Sequence, residues 1–279
     1  MNIDHVDHKY RNLVKAIVTD GFNYLDDSRA GIQMREIPHY VLDIDIIKGG
    51  FPLLTTKKIY WKSVIHELIW MLSGSTNIDY LVENKVNIWN EDANNYSGGT
   101  TVGRIYGAQW RSWDFQIDQI ANLIEGLKTN IHSRRHLVTA WNPSELEFMA
   151  LPPCHWAFQV MPTATGFALK WQQRSCDVFL GVPFDIVLYA TLGKLIEHAT
   201  GLVFERLIGS LSCAHIYEPH VEALTRQMKN NEIAQKTELI ISEKTNINNL
   251  SISDFTVNNY DSAGPIKAKM YAKVINSKD

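Results

Sequence analysis

The segment LPPCHWAF at residues 151–158 carries the strongest candidate nucleophile in the chain, Cys154. Two prolines precede it and fix the backbone φ angles, so this segment is expected to be stiff and not helical. A cysteine held there beside His155 suits a thiolate nucleophile, as in a cysteine protease. A buried structural cysteine is an equally weighted interpretation of this motif alone.

Two further segments have anion-binding chemistry. Arg174 and Ser175 in QQRSCD combine a forked cation with a hydroxyl donor, which suits a phosphate group. HSRRHL adds Arg134 and Arg135 just before an apolar run. Such a pair is more often a solvated surface feature, although two adjacent arginines also suit a dianion.

Two carboxyl groups lie in apolar surroundings. Glu67, in VIHELIW, flanks the apolar stripe of a helix and is either a surface acid or a partly buried group that moves protons. Asp185, in GVPFDIVLY, lies between Phe184 and Ile186. Asp is a favoured N-cap, so Asp185 could simply cap a helix that begins after Pro183.

Composition restricts the class of protein. The chain has 279 residues, 45% of them hydrophobic and 20% charged, which is typical of a globular enzyme. A formal net charge of −3 argues against nucleic acid as the main partner. Three cysteines suggest no disulfide framework, and the polar N-terminus and lack of a long apolar run predict a cytoplasmic protein without a membrane span. The histidine spacings do not suggest a metal site.

The elements that must position these residues are helices and strands in irregular alternation. Apolar residues at helical spacing predict four helices: 10–17 ended by Gly21, 61–72 followed by Gly74, 117–127, and a helix after Pro183 ended by Gly201. Residues 90–101 and 241–255 are predicted as loops. We interpret residues 1–279 as one α+β domain with a large mixed sheet flanked by helices. Its predicted strands are YVLDIDI, HLVTAW, WAFQVM, FALKWQQ and ISDFTVNNY.

Eight blocks together resemble the thymidylate synthase family, in order and with that family's intervals. The resemblance extends from about Tyr10 to Ala268, and QRSCDVFLGVPF alone is highly specific. It displaces the protease and surface-charge interpretations. The blocks are FPLLTTKK, HELIWMLSGSTNIDYL, IWNED, YGAQWR, SRR, LPPCH, QRSCDVFLGVPF and AHIY.

The resemblance implies an enzyme that transfers a one-carbon unit from 5,10-methylenetetrahydrofolate to C5 of a pyrimidine nucleotide. It implies that the Cys154 thiolate adds to C6 of the base, and that Glu67, Tyr106 and His155 organise the waters that carry protons. It also implies a homodimer, with two arginines of each site contributed by the other subunit. The implied nucleotide-binding residues are Arg29, Arg134, Arg135, Arg174, Ser175, Asp177, Asp185, His215 and Tyr217, and the implied folate-binding residues are Lys57, Trp89, Asp177, Gly181 and Phe184.

Asp185 departs from the family's pattern, which has Asn at this position. An Asn amide can accept from uracil N3–H and donate to O4, whereas cytosine has an acceptor at N3 and a donor at its 4-amino group. A protonated Asp, or a carboxylate facing an N3-protonated ring, matches cytosine, and a buried mismatch costs on the order of 1–3 kcal/mol. The same Asp occurs in the relative of this family that hydroxymethylates deoxycytidylate. We therefore expect dCMP to be favoured over dUMP.

Two further departures bear on the product. The chain continues past GPIKA with KMYAKVINSKD, where the family ends in a short apolar segment, and Asp92 replaces a tryptophan usual over the folate. Methylation needs a closed, dry site, so both departures favour water as the final reactant and hydroxymethylation as the activity. The alternatives are a dCMP methyltransferase, a dUMP-using synthase, and a nucleotide-binding or RNA-binding regulator.

Overall fold

The computed structural model describes residues 4–26, 31–96 and 99–271. None of the helices within these ranges is long and apolar enough to span a bilayer. The helices are α1 (Val6–Asp20), α2 (Ile46–Gly49), α3 (Trp61–Leu72), α4 (Asp79–Glu83), α5 (Asn90–Asn95), α6 (Tyr106–Arg111), α7 (Gln119–Thr129), α8 (Gly181–Thr200) and α9 (Val221–Lys229). The strands are β1 (Phe22–Asp26), β2 (Ile32–Asp45), β3 (Leu137–Thr139), β4 (His155–Pro162), β5 (Gly166–Gln173), β6 (Cys176–Asp177), β7 (Val203–Tyr217), β8 (Glu238–Ile241) and β9 (Phe255–Asn258).

Seven of these strands form one mixed sheet. Its order is β1-β2-β7-β5-β4-β3, and β6 pairs with the far end of β7. The contacts of β7 with β5 and β6 are parallel, while the remaining pairs are antiparallel. Strands β8 and β9 form a separate antiparallel pair. The α+β class with a large mixed sheet flanked by helices is therefore confirmed.

The helical periodicity located the long helices well, but it placed the start of α7 too early and missed the short helix α5. Helix α1 ends at Gly21 and α3 covers 61–72, as predicted. Ile117 lies outside α7, because the Asp118 side chain accepts from the N–H of Ala121 and starts the helix after it. The predicted loop at 90–101 is wrong in its first half, which forms α5.

The central strand β7 was not predicted from sequence. It pairs with β2, β5 and β6, so its 15 residues organise the whole sheet. Its middle contains Gly209, a residue that weakens the strand pattern. The glycine is required by packing: Gly209 is the register partner of Trp171 on β5. A Cβ at 209 would lie 2.5 Å from the Cζ2 and Cη2 atoms of that indole.

Trp171 fills the space that Gly209 leaves. The Trp171 side chain is fully buried, and its ring stacks on Tyr189 of α8 with 5.4 Å between centroids and an interplanar angle of 9°. The glycine on β7 therefore determines where the indole on β5 lies, and the indole in turn contacts the helix that carries Asp185.

We expect Gly209→Ala to lower the free energy of unfolding by about 1–3 kcal/mol, because the new methyl group overlaps the Trp171 ring. Urea denaturation followed by circular dichroism measures the change. In a Trp171→Phe background the same substitution is expected to cost less, since the phenyl ring lacks the two clashing atoms. Equal costs in both backgrounds would contradict this packing account.

Candidate active site

A cleft of about 230 Å³ lies where the sheet meets α3, α8 and the C-terminal segment. It collects eleven of the residues that the sequence implied for a site: Glu67, Trp89, Tyr106, Cys154, His155, Ser175, Asp177, Gly181, Asp185, His215 and Tyr217. The other lining residues are Ile88, Asp92, Leu151, Gln173, Leu180, Met270 and Tyr271. Residues far apart in sequence therefore share one concave site, which is the usual form of a small-molecule pocket.

Cys154 lies at the cleft wall just before β4. Its backbone N–H donates to the Tyr106 hydroxyl at 2.9 Å, and its carbonyl accepts from the Arg174 N–H at 2.8 Å. The Arg174 guanidinium donates to the carbonyls of Pro152 and Pro153 at 2.7 and 3.0 Å and lies 4.0 Å from the Cys154 sulfur. Fixed backbone and a nearby guanidinium are the conditions that favour a reactive thiolate.

His155 is held as a neutral ring. It shares a hydrogen bond of 2.8 Å with the Tyr189 hydroxyl through Nδ1 and stacks on Tyr106 with 4.1 Å between ring centroids. Burial lowers the pKa of His155 to about 3. At neutral pH this imidazole therefore orients other groups and does not act as a cation.

Glu67 is buried in α3, so the surface-acid alternative is wrong. Its side chain is 8% exposed and accepts from the indole N–H of Trp89 at 2.9 Å. Burial raises the pKa of Glu67 to about 7; the Trp89 hydrogen bond lowers this pKa and the charge of Asp185 raises it. A carboxyl group with a pKa near neutrality can both take up and release a proton at the cleft.

Asp185 does not cap a helix. Helix α8 begins at Gly181, its N-cap is Leu180 without a side-chain cap, and Asp185 is the fifth helical residue. Pro183 does not end the preceding element either, because proline is tolerated in the first helical turn, where its missing N–H has no partner to lose. The N-cap interpretation is therefore wrong.

The Asp185 carboxyl instead faces the cleft and Gln173. Its Oδ2 accepts from the Gln173 amide Nε2 at 2.8 Å. Burial raises the pKa of Asp185 to about 7; the Gln173 hydrogen bond lowers it and the charge of Asp177 raises it. Sequence reasoning missed Gln173, although the residue directly precedes Arg174 in the QQRSCD block.

Asp177 is an ionised acceptor at the same wall. Its Oδ1 accepts from the N–H groups of Phe179 and Leu180 at 2.9 and 3.1 Å. Burial raises the pKa of Asp177, but His220 and the Leu180 N–H outweigh this, so the pKa is held below its usual range. His220 also bonds the carbonyl of Lys269 at 2.8 Å and so ties the C-terminal segment to this wall.

His215 presents an unsatisfied nitrogen. Its Nδ1 lies 2.8 Å from the Cys213 carbonyl, which can only accept, so Nδ1 carries the proton. The Nε2 atom is buried and has no hydrogen-bond partner among the described residues. Tyr217 packs edge-on against this ring with 4.8 Å between centroids. A buried nitrogen without a partner in a cleft is a natural place for a ligand hydroxyl.

Two of the residues implied for a folate site do not line the cleft. Lys57 is 3% exposed, and its ammonium group donates to the Phe179 carbonyl and lies over the Phe179 ring. Burial lowers the pKa of Lys57 to about 8. Phe184 is half-buried and packs against the core.

Positive charge is scarce at the cleft. Among the described residues no lysine or arginine is part of the lining. The Arg174 guanidinium lies outside it, 4.0 Å from the Cys154 sulfur. Arg134 and Arg135 are exposed at the start of β3 and are not in this lining. Arg29 lies outside the described residues. Within the described ranges, no group of three or more His, Cys, Asp or Glu side chains is arranged to hold a metal ion.

Met270 and Tyr271, which sequence reasoning did not assign to the site, form part of the wall. Tyr271 packs against Tyr217 and His220, with ring centroids 6.1 and 5.6 Å apart. The only sequence signal was the unusual C-terminal extension that contains them.

A family model described as thymidylate synthase matches residues 8–272 of the chain. The match covers every cleft residue named above, from Glu67 to Tyr271.

We expect Glu67→Gln to raise the free energy of unfolding by roughly 2–4 kcal/mol at pH 8, because the amide can still accept from Trp89 but carries no buried charge. The folded pKa of about 7 lies above the value of 4.5 for a free Glu, so the ionised form destabilises the fold. The free-energy cost of the buried Glu67 charge appears as pH rises from about 4 to 7. The stability gained by Glu67→Gln should therefore vanish at pH 4. Urea denaturation across this pH range measures it.

The matched control is Glu125→Gln, at an exposed position on α7. This variant should change the free energy of unfolding little at any pH in the range. If Glu67→Gln and the wild type have the same free energy of unfolding at both pH 4 and pH 8, burial does not raise the pKa of Glu67 as stated.

Proposed function

The chain belongs to the thymidylate synthase family, and we propose that its substrate is dCMP and its product 5-hydroxymethyl-dCMP. The family transfers a one-carbon unit from methylenetetrahydrofolate to C5 of a pyrimidine nucleotide, and a chain that matches over residues 8–272 shares that chemistry.

The observation that carries the choice of base is the Asp185 carboxyl in the cleft. Its raised pKa keeps a large fraction protonated near neutral pH, which a neutral cytosine needs opposite N3. A carboxyl group with its proton facing N3 and its other oxygen facing the 4-amino group satisfies both cytosine positions. Uracil reverses both positions, so it meets two mismatches when the carboxyl is held in this orientation.

The Cys154 thiolate is the proposed nucleophile toward C6 of the base. The Cys154 N–H donates to the Tyr106 hydroxyl and the Cys154 carbonyl accepts from the Arg174 N–H, so the backbone at this residue is fixed and the sulfur has little freedom. The guanidinium at 4.0 Å stabilises the negative charge that the thiolate carries before attack. When the proton at N3 is shared with Asp185, the ring accepts the electron pair from sulfur more readily.

Glu67, Tyr106 and His155 are the proposed proton-handling group. Glu67 has a pKa of about 7 and can exchange a proton with water beside C5 or the exocyclic nitrogen. Burial raises the pKa of Tyr106 and lowers that of His155, so both stay neutral and serve as fixed hydrogen-bonding and stacking groups.

The upper cleft fits methylenetetrahydrofolate, which supplies the one-carbon unit when bound. Trp89, Leu180 and Tyr271 line the cleft with aromatic and apolar surface. The ionised Asp177 in the same lining is an acceptor for N–H groups of a pterin ring. Gly181 leaves the wall open beside Asp177. Lys57 already holds the Phe179 carbonyl, so we do not assign it to the glutamate tail.

The nucleotide's sugar and phosphate would extend toward His215, Tyr217 and Ser175. The Nε2 of His215, which has no hydrogen-bond partner within the described ranges, suits the 3′-hydroxyl group of the sugar. A phosphate dianion needs more cations than the cleft of one chain supplies among the described residues. We therefore propose a homodimer in which Arg134 and Arg135 of a second copy complete the phosphate site.

Water as the final reactant is supported by Asp92, whose side chain lines the cleft close to the proposed folate wall. A carboxyl group there gives water a polar place to bind. The competing product, 5-methyl-dCMP, is favoured by Met270 and Tyr271, because the C-terminal segment reaches the cleft and can help to exclude water.

Incubation of the protein with methylenetetrahydrofolate and either dCMP or dUMP tests the proposal directly. We expect dCMP to be consumed at least tenfold faster and its product to gain the mass of formaldehyde, while tetrahydrofolate accumulates. Cys154→Ala should abolish turnover with both nucleotides. Dihydrofolate and a 5-methyl product would establish methylation, and faster turnover of dUMP would overturn the choice of base.

We further expect the affinity for dCMP to fall about tenfold per pH unit above pH 7, because the complex holds one proton between Asp185 and N3 of cytosine. Calorimetry without folate measures the dissociation constant from pH 6 to 9. Glu67→Gln should keep this dependence and Asp185→Ala should lose it. A wild-type affinity that stays constant over this range would exclude the shared proton.

A further inference from the structure

A protonated carboxyl group does not by itself distinguish cytosine from uracil. With the proton on the oxygen that faces N3, it matches cytosine; with the proton on the oxygen that faces position 4, it donates to uracil O4 and accepts from N3–H. The two forms differ only in which oxygen carries the proton. Selectivity by Asp185 therefore requires a neighbour that makes its two oxygens unequal.

Gln173 is such a neighbour, because its amide has only one allowed orientation. Its Oε1 lies 3.0 Å from the indole Nε1 of Trp171, which can only donate. Its Nε2 lies 3.1 Å from the Ser175 carbonyl, which can only accept. Both partners require the amide oxygen on the Trp171 side and the NH2 group on the other side, whatever the state of Asp185.

The NH2 group of Gln173 consequently faces Asp185 Oδ2 as a donor, at 2.8 Å. A carbonyl oxygen accepts a hydrogen bond better than a hydroxyl oxygen does, so the Gln173 donor favours the carbonyl form at Oδ2 and the acid proton at Oδ1. Gln173 is 3% exposed and Trp171 is fully buried, so water does not readily replace either partner.

The position of Gln173 indicates which part of the base meets Oδ2. Gln173 on β5 is the direct cross-strand partner of His155 on β4, so their side chains lie side by side on one face of the sheet. In the proposed function His155 belongs to the group that handles protons around C5 and the exocyclic nitrogen at position 4, so we place it on that side of the base. Oδ2, on the Gln173 side, then faces position 4, and Oδ1 with its proton faces N3.

We propose that Trp171 and Gln173 form a polarity lock, a pair of positioning residues that makes Asp185 a reader of cytosine and not of uracil. This inference rests on the proposed function and adds the residues that determine its base specificity. The lock keeps Oδ2 an acceptor, which pairs with the 4-amino group of cytosine and repels O4 of uracil. Gly209 belongs to the same device, because it provides the space in which the Trp171 indole is fixed.

The lock has an unusual consequence for Asp185→Asn. With Gln173 held as a donor, the new amide must place its oxygen at the Oδ2 position and its NH2 group at the Oδ1 position. That arrangement donates to N3 and accepts from the 4-amino group, which is again the pattern for cytosine. In this chain, where the Trp171 indole holds the Gln173 amide, asparagine at position 185 therefore still favours dCMP in binding. It reads uracil, as the family's Asn does, only where the Gln173 amide is free to turn.

The test compares dissociation constants for dCMP and dUMP, measured by calorimetry without folate. Gln173→Leu should lower the wild-type preference for dCMP by about tenfold to a hundredfold, the range expected for one buried polar mismatch. Trp171→Phe should lower it by a smaller factor, since the Ser175 carbonyl still restrains the amide. Asp185→Asn should keep dCMP ahead, and Gln173→Leu with Asp185→Asn should put dUMP ahead.

Trp110→Phe is the matched control. Trp110 is buried like Trp171, but its indole N–H has no hydrogen-bond partner among the described residues. The substitution should leave the nucleotide preference within about twofold of wild type. Thermal unfolding of each variant identifies those that fold, and the two Gln173→Leu proteins test the lock even where Trp171→Phe does not fold.

The outcomes separate the two proposals. Wild-type protein that binds dUMP more tightly than dCMP overturns the proposed function, and the lock falls with it. Wild-type protein that prefers dCMP, with a preference unchanged by Gln173→Leu, overturns the lock alone. A single Asp185→Asn variant that already prefers dUMP overturns it as well, since the amide would then have turned against Gln173.

Discussion

Two carboxyl groups, Glu67 and Asp185, share a cleft whose burial makes ionisation of either one costly. Each has a pKa of about 7 and each receives one hydrogen bond from a fixed neutral donor, Trp89 or Gln173. A single N–H donor is too weak to offset the desolvation of a carboxylate, so protons stay available at the cleft near neutral pH. The remaining walls have to keep these groups dry and correctly oriented.

The sheet meets this requirement by bringing three strands to one edge of the cleft. Strand β4 carries His155, β5 carries Gln173, and β7 carries His215 close to its end at Tyr217. The parallel contact of β5 with β7 sets Trp171 over Gly209, and this contact determines the position of the indole that bonds Gln173. The packing of Trp171 against Gly209 inside the sheet thus controls the hydrogen bond to Gln173 at the cleft.

The blocks around Cys154 and Asp185 predicted residues that the structure brings together in one cleft, because uncommon residue types in a fixed order are informative without coordinates. The N-cap interpretation of Asp185 failed because Pro183 was taken as a helix breaker, although proline fits the first turn. Strand β7 was missed because it contains Gly209, and the reason for this glycine is Trp171, which lies far away in sequence on β5. Lys57 looked like a ligand residue in sequence but is held by a backbone carbonyl inside the fold.

The sequence alone determined the fold class and the family, since these depend on residue types and their order, and it predicted which groups react. It also identified Asp185 as the position that departs from the family. Only the tertiary structure decided how that carboxyl is presented, because this depends on donors that come from another strand. Gln173 lies 12 positions from Asp185 in sequence, and its amide orientation is determined by Trp171 and the Ser175 carbonyl. The direction of an amide's hydrogen bonds depends on which groups surround it in space, and the residue type alone does not determine it.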